Sequence, residues 1–139
     1  MDRAIIRVEG LRVAYGEQLV LRDVTLQVEA GEMLTIIGNS GCGKSTLLKT
    51  IVGLVTPQAG RVELFGQDSG RLSEVQRDAL RRRCGVMFQQ GALLNSLSIR
   101  ENVALPLEMH TDLSAARRQS VAQARLEMVG LGAAHARLP

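Results

Sequence analysis

At 139 residues, 45% hydrophobic and 22% charged, the chain has the size and composition of one globular domain, which excludes a disordered or fibrous polypeptide. No apolar run approaches the roughly 20 residues that cross a bilayer, and the opening MDRAIIRVEG, charged at positions 2, 3, 7 and 9, lacks the apolar region of a signal peptide. The net charge of +3 comes almost wholly from arginines spread along the chain, so it gives no clustered basic face and no nucleic-acid partner is expected.

In chain order, Ala4 to Val8 and Leu11 to Ala14 read as short strands on either side of Glu9-Gly10. Val24 to Val28 alternates V-T-L-Q-V, as a half-buried strand does, and Ala30-Gly31-Glu32 is a turn. Met33-Leu34-Thr35-Ile36-Ile37 is a nearly continuous apolar run, the pattern of a strand buried on both faces. Gly38 to Gly43 is a glycine-rich loop. Lys44 to Leu54 then carries Leu47, Leu48, Ile51, Val52 and Val55 at helical spacing, and Thr56-Pro57-Gln58-Ala59-Gly60 turns into a strand from Arg61 to Phe65. Ser73 with Gln76 makes a capping box for a helix to about Arg82. Cys84 to Phe88 is a further apolar strand, with Cys84 in the core, and a loop runs from Gln89 to Leu97. Ser98 with Glu101 opens a helix that Pro106 is expected to disturb. Ser114 caps a longer helix to about Val129, expected to bury Val121, Ala124, Leu126, Met128 and Val129. Strands first, then strand–loop–helix units, predict an α/β core with an antiparallel β annex.

The chemistry is concentrated in Gly38-Asn39-Ser40-Gly41-Cys42-Gly43-Lys44-Ser45, a complete G-x-x-x-x-G-K-S with a strand pattern before it and a helix pattern after it. Glycines let successive N–H groups converge on a phosphate without Cβ obstruction, and the helix opening at Lys44 adds free N–H groups and the positive end of its dipole. Lys44 is expected to reach the β- and γ-phosphates, the Ser45 hydroxyl to ligate Mg²⁺, and Thr46 to face the α-phosphate. An accidental match arises in roughly one chain of this length in a few hundred, before the flanking elements are required. Cys42 within the loop is either a thiolate favoured by the helix end or a small filler. Cys42 and Cys84 have no metal spacing, and His110 and His135 read as surface residues.

The succession V-A-Y-G, V-T-L-Q-V, A-G-E, G-N-S-G-C-G-K-S-T-L-L, G-x-V and G-V-M-F-Q-Q resembles the first half of an ABC ATPase and covers nearly the whole chain. The resemblance implies a P-loop NTPase core with an antiparallel annex over 1–97, the beginning of a helical subdomain over 98–139, and an incomplete domain. It places Tyr15 where a ring stacks on adenine, and Gln89 at the Q-loop, where an amide oxygen ligates Mg²⁺ and senses the γ-phosphate; Gln90 is the neighbouring rival. No N-K-x-D appears, so ATP is expected rather than GTP. Phe88 to Thr111 is similar to the ATPases of bacterial phospholipid transporters that work with MCE-type lipid-binding proteins. That likeness implies a peripheral protein on the cytoplasmic face of the inner membrane, partnered by a transmembrane permease subunit and by a second ATPase subunit, head to tail.

The resemblance also implies what these residues lack: the acidic strand end, the water-orienting glutamate, the switch histidine and the L-S-G-G-type signature. The chain alone is therefore expected to bind ATP without hydrolysing it, and to expose apolar strand surface. Two other readings stay open: a soluble ABC-type ATPase acting on nucleic acid or translation, and a non-catalytic nucleotide-binding module.

Overall fold

In a computed structural model of the chain, which describes residues 4–89 and 91–139, the N-terminal segment is one long strand rather than two. Asp2, Arg3 and Gln90, each invoked from sequence, lie outside the described residues. The strand β1 (Ala4–Tyr15) continues through Glu9-Gly10, because Gly10 (φ 56°) and Asp23 (φ 50°) on the facing strand β2 (Gln18–Glu29) both take left-handed conformations. The register shifts there, from Val8 opposite Leu26 to Leu11 opposite Val24, and pairing resumes. The break expected between two short strands is a bulge within one strand.

The packing falls into two units, Met1–Val86 and Met87–Pro139. In the first, β2, β1, β3 (Ala59–Leu64) and β4 (Gln67–Asp68) form an antiparallel sheet in that spatial order. The alternating residues Val8, Leu11, Val13, Leu21, Val62 and Leu64 line the buried face with Leu80. Against them lies the helix α1 (Lys44–Ile51), which buries Leu47, Thr50 and Ile51, while Leu48 stays exposed. This helix ends sooner than its apolar spacing suggests. Gly53 (φ 73°) turns left-handed, its N–H donates to Thr50 O at 3.1 Å, and Leu54 N–H donates to Lys49 O at 2.8 Å. These paired bonds consume the last carbonyls and stop the helix before Thr56.

At β3, Gly60 (φ 90°) lies so close to the β1 bulge that a Cβ there would stand 2.5 Å from Gly10 O and 2.6 Å from Glu9 O. The helix α2 (Glu74–Arg81) opens with the expected capping box: Gln76 N–H donates to Ser73 Oγ at 3.3 Å, and Ser73 N–H to Gln76 Oε1 at 2.9 Å.

Two expected strands do not form. Residues 33–37 make no ladder, and Met33 and Ile37 are about 90% exposed. The segment around Cys84 and Val86 also stays unpaired, although Cys84 itself packs on the core as expected. A doubly buried parallel strand exists only beside neighbours that accept its backbone bonds, and no such neighbours occur among the described residues.

In the second unit, α3 (Ile99–His110) and α4 (Ala115–Met128) pack side by side and a short 3₁₀ turn (Gly132–Ala134) follows. Pro106 sits inside α3 without ending it. The start of α3 is heavily anchored: Ser98 and Glu101 form their capping box, and Ile99 and Arg100 N–H groups donate to Arg137 O and His135 O. The Asn102 side chain bonds Leu94, Leu97 and Ser98. The buried contacts of α3 and α4 are Ala104, Ala122 and Leu126. Of the residues expected inside α4, Leu126 is buried, but Ala124, Met128 and Val129 are exposed. The apolar residues at the end of α4 therefore lie off its buried face.

Candidate nucleotide site

Among the described residues, three of the four α-helices begin with a serine whose side chain accepts a first-turn N–H bond: Ser73, Ser98 and Ser114. The fourth is α1. Its N-cap is Gly43, left-handed at φ 100°, with no side-chain cap. The N–H groups of Lys44, Ser45 and Thr46 therefore begin a helix without a capping oxygen, and the dipole's positive end opens onto the loop.

Around that opening the predicted loop residues come together. Gly41 is left-handed (φ 80°), and the space where its Cβ would stand is empty for 4 Å. Cys42 N–H closes the turn on Asn39 O at 3.3 Å. The ammonium of Lys44 folds back across the loop, donating to Gly38 O at 2.7 Å and Asn39 O at 2.8 Å. Cys42 Sγ lies 3.5 Å from the same nitrogen, and a Cβ on Gly38 would stand 2.6 Å from that sulfur. Cys42 thus forms the inner wall of the loop, which makes a side chain at 38 impossible without rearrangement. Ser40 and Ser45 are exposed and Thr46 is half-buried.

The loop is also anchored from behind. A Cβ on Gly43 would meet Leu21 Cδ2 at 2.8 Å, Val20 Cγ1 at 3.2 Å and Val20 O at 3.3 Å. Val20 and Leu21 were not legible as site residues, because strand alternation shows which face a residue takes and not which loop lands on it. Tyr15 pairs with Gln18 at the end of the same β1–β2 hairpin, with its side chain half exposed. Gln18 precedes Val20 by two residues, about 7 Å along the strand. One hairpin therefore carries both Tyr15 and the back wall of the phosphate loop. Gln89 belongs to the other unit, where it is exposed, and its role rests on sequence order alone.

The residues present fit a Mg²⁺–nucleotide. The uncapped N–H groups, the open space above Gly41 and the Lys44 cation suit phosphate oxygens. No group of three or more His, Cys, Asp or Glu able to hold a metal occurs among the described residues. The exposed Ser45 hydroxyl at the first turn of α1 could hold such a cation, which takes few protein oxygens alongside substrate phosphates.

The fold defines a class, the ATP-binding cassette. The chain superposes with a TM-score of 0.84 on the dimeric structure of a post-hydrolysis state of the ATP-binding cassette MJ0796 bound to ADP and Pi. Sequence identity there is 30%, covering 96% of this chain and 61% of that one. The chain belongs to the ABC transporter family, which it matches over residues 21–139. It is 38% identical over all its 139 residues to the intermembrane phospholipid transport system ATP-binding protein MlaF of Haemophilus influenzae, spanning 53% of that protein. It is 36% identical over 134 residues (96% of the chain) to the probable ribonucleotide transport ATP-binding protein mkl of Mycobacterium leprae, spanning 39% of that protein. The chain thus spans about half or less of the curated relatives it matches. No helix among the described residues is long and apolar enough to cross a membrane.

Proposed function

We propose that the chain is the nucleotide-binding portion of an ATPase subunit that energises a membrane transporter. The observation that carries this reading is the uncapped N-terminus of α1 behind a left-handed glycine loop closed by Lys44. In this reading the N–H groups of Gly41 and of Gly43 to Thr46 grip the phosphates, and Lys44 exchanges its loop carbonyls for β- and γ-phosphate oxygens. Tyr15 stacks on the adenine. The Ser45 hydroxyl would hold Mg²⁺, which when bound neutralises phosphate charge, and Gln89 is proposed as a further Mg²⁺ ligand on its place in the sequence alone. The 139 residues bind nucleotide without turning it over by themselves.

The test is a titration with a fluorescent ATP analogue in the presence of Mg²⁺. Lys44→Ala removes charge-assisted bonds worth roughly 2 kcal/mol, a weakening of about thirty-fold. Equal affinity in Lys44→Ala and the parent would refute the site. Lys44-dependent hydrolysis by the purified chain would refute the binding-only role.

For cargo, the finer proposal is phospholipid. It is supported by the name of the relative matched along the whole chain and by the likeness of Phe88 to Thr111 to lipid-transporter ATPases. The proposed partners are a transmembrane permease subunit, a second ATPase subunit and an MCE-type lipid-binding protein, with the chain peripheral on the cytoplasmic membrane face. The relative named for ribonucleotide transport marks the competing cargo. Stimulation of the assembled transporter's ATP hydrolysis by phospholipid supports the proposal. Stimulation by ribonucleotides instead would overturn it.

A further inference from the structure

The phosphate-binding end of α1 faces the loop, but its other end is held by a residue outside the site. Arg81 closes α2 and begins the run Arg81-Arg82-Arg83. Unlike Arg82 and Arg83, it is half-buried. Its Nη2 donates to Gly53 O at 2.9 Å, and its Nη1 donates to Asp78 Oδ1 at 2.8 Å. The guanidinium lies against the Gly53 backbone, since a Cβ there would stand 3.5 Å from Nη2 and 3.6 Å from Nε. Asp78 thus aims one arm of the fork while the other reaches the turn that ends α1. A cation beside a helix C-terminus also complements the dipole.

We propose that Arg81 is a positioning residue for the nucleotide site, acting through α1; the proposal rests on the reading of the loop as that site. Eight residues make α1 a rod of only about 12 Å. One buried stripe, Leu47, Thr50 and Ile51, seats it on the sheet. So short a rod pivots about its seat, and freedom at Gly53 is transmitted to Lys44 and Ser45 at the opposite end. Arg81 removes that freedom without touching nucleotide. Its planar fork matters as well as its charge, because one arm must face Asp78 while the other faces the carbonyl.

The experiment titrates a fluorescent Mg²⁺–ATP analogue into the full chain, Arg81→Ala, Arg81→Lys, Arg82→Ala and Lys44→Ala, with nucleotide-free melts alongside. Parent-like binding by Lys44→Ala would remove the nucleotide site itself, and this inference with it. Where Lys44→Ala loses binding, Arg81→Ala is expected to bind about ten-fold more weakly, the low end of what losing an outer-shell partner costs a bound group. Arg81→Lys should recover part of that loss at an unchanged melting temperature, and Arg82→Ala should bind like the parent. Parent-like affinity in Arg81→Ala overturns the proposal, as does an equal loss in Arg82→Ala, which would mark a general charge effect. If Arg81→Ala does not fold, Arg81→Lys decides: weaker binding with an unchanged melt supports the role, whereas parent-like binding or a matching fall in melting temperature overturns it.

Discussion

Replacing Gly43 with alanine attacks the loop's anchorage on β2 in two separable ways. The left-handed backbone, at φ 100°, costs an L-residue roughly 1–2 kcal/mol. The new methyl also stands 2.8 Å from Leu21 Cδ2 and 3.3 Å from Val20 O. Leu21 is buried in the core, so displacing its methyl overpacks that core and adds roughly 1–3 kcal/mol. The expected total is about 3 kcal/mol. Gly66→Ala isolates the first part, because Gly66 has φ 76° with nothing within 4 Å of its Cβ position. That variant should lose only about 1 kcal/mol. Urea denaturation of both variants, at matched slopes, measures the difference, expected near 2 kcal/mol. Gly43→Ala should also weaken nucleotide binding, since the methyl pushes the first turn of α1 off its seat. Equal stability losses in the two variants would refute the tight contact between the loop and β2.

Other outcomes follow from single sites. Gly60→Ala should cost about 3 kcal/mol or more, because the obstructing atoms are backbone carbonyls that do not yield; a urea midpoint within error of the parent's would contradict this. Tyr15→Ala should weaken ATP binding by about 1 kcal/mol or somewhat more, while Tyr15→Phe, which keeps the ring, should bind like the parent; a large loss in the Phe variant would point to the hydroxyl instead. The Glu101 carboxyl, bonded by the Ser98 hydroxyl and then by the Ser98 N–H, is held below its ordinary value. Its contribution to α3 is therefore present above the unfolded value near 4.5 and lost as pH falls through the lower native value. Glu101→Gln, which can keep the capping box, should flatten that acid dependence in pH-dependent melts.

What was legible from sequence was whatever a short stretch settles by itself. Ser73 with Gln76 and Ser98 with Glu101 announce their helix starts, because each box closes within four residues. The loop from Gly38 to Ser45 is legible for the same reason: its residue types act on their own backbone. The segment from Met33 to Ile37 was misread because a parallel strand is a property of its neighbours as much as of its own residues. Glu9-Gly10 read as a break between two strands, since the bulge depends on Asp23 fourteen residues beyond Glu9. The buried face of α4 escaped for a related reason: which of its residues, Ala122 and Leu126 among them, go inside depends on how α3 packs beside it, which no reading of α4 alone contains. Nothing local to Arg81 points to its partner Gly53, which lies 28 residues away.

The close approach of Gly60 to the β1 bulge has a consequence for how the sheet chooses its alignment. Sliding β3 by one residue along β1 would bring Ala59 or Arg61, each with a side chain, against the carbonyls of Glu9 and Gly10. The same slip would turn Val62 and Leu64 away from the core on which α1 rests. Glycine at 60 therefore works as a key with one fitting position. A mispaired sheet is penalised at the bulge and in the core at once, and the phosphate loop inherits its placement from that single permitted alignment.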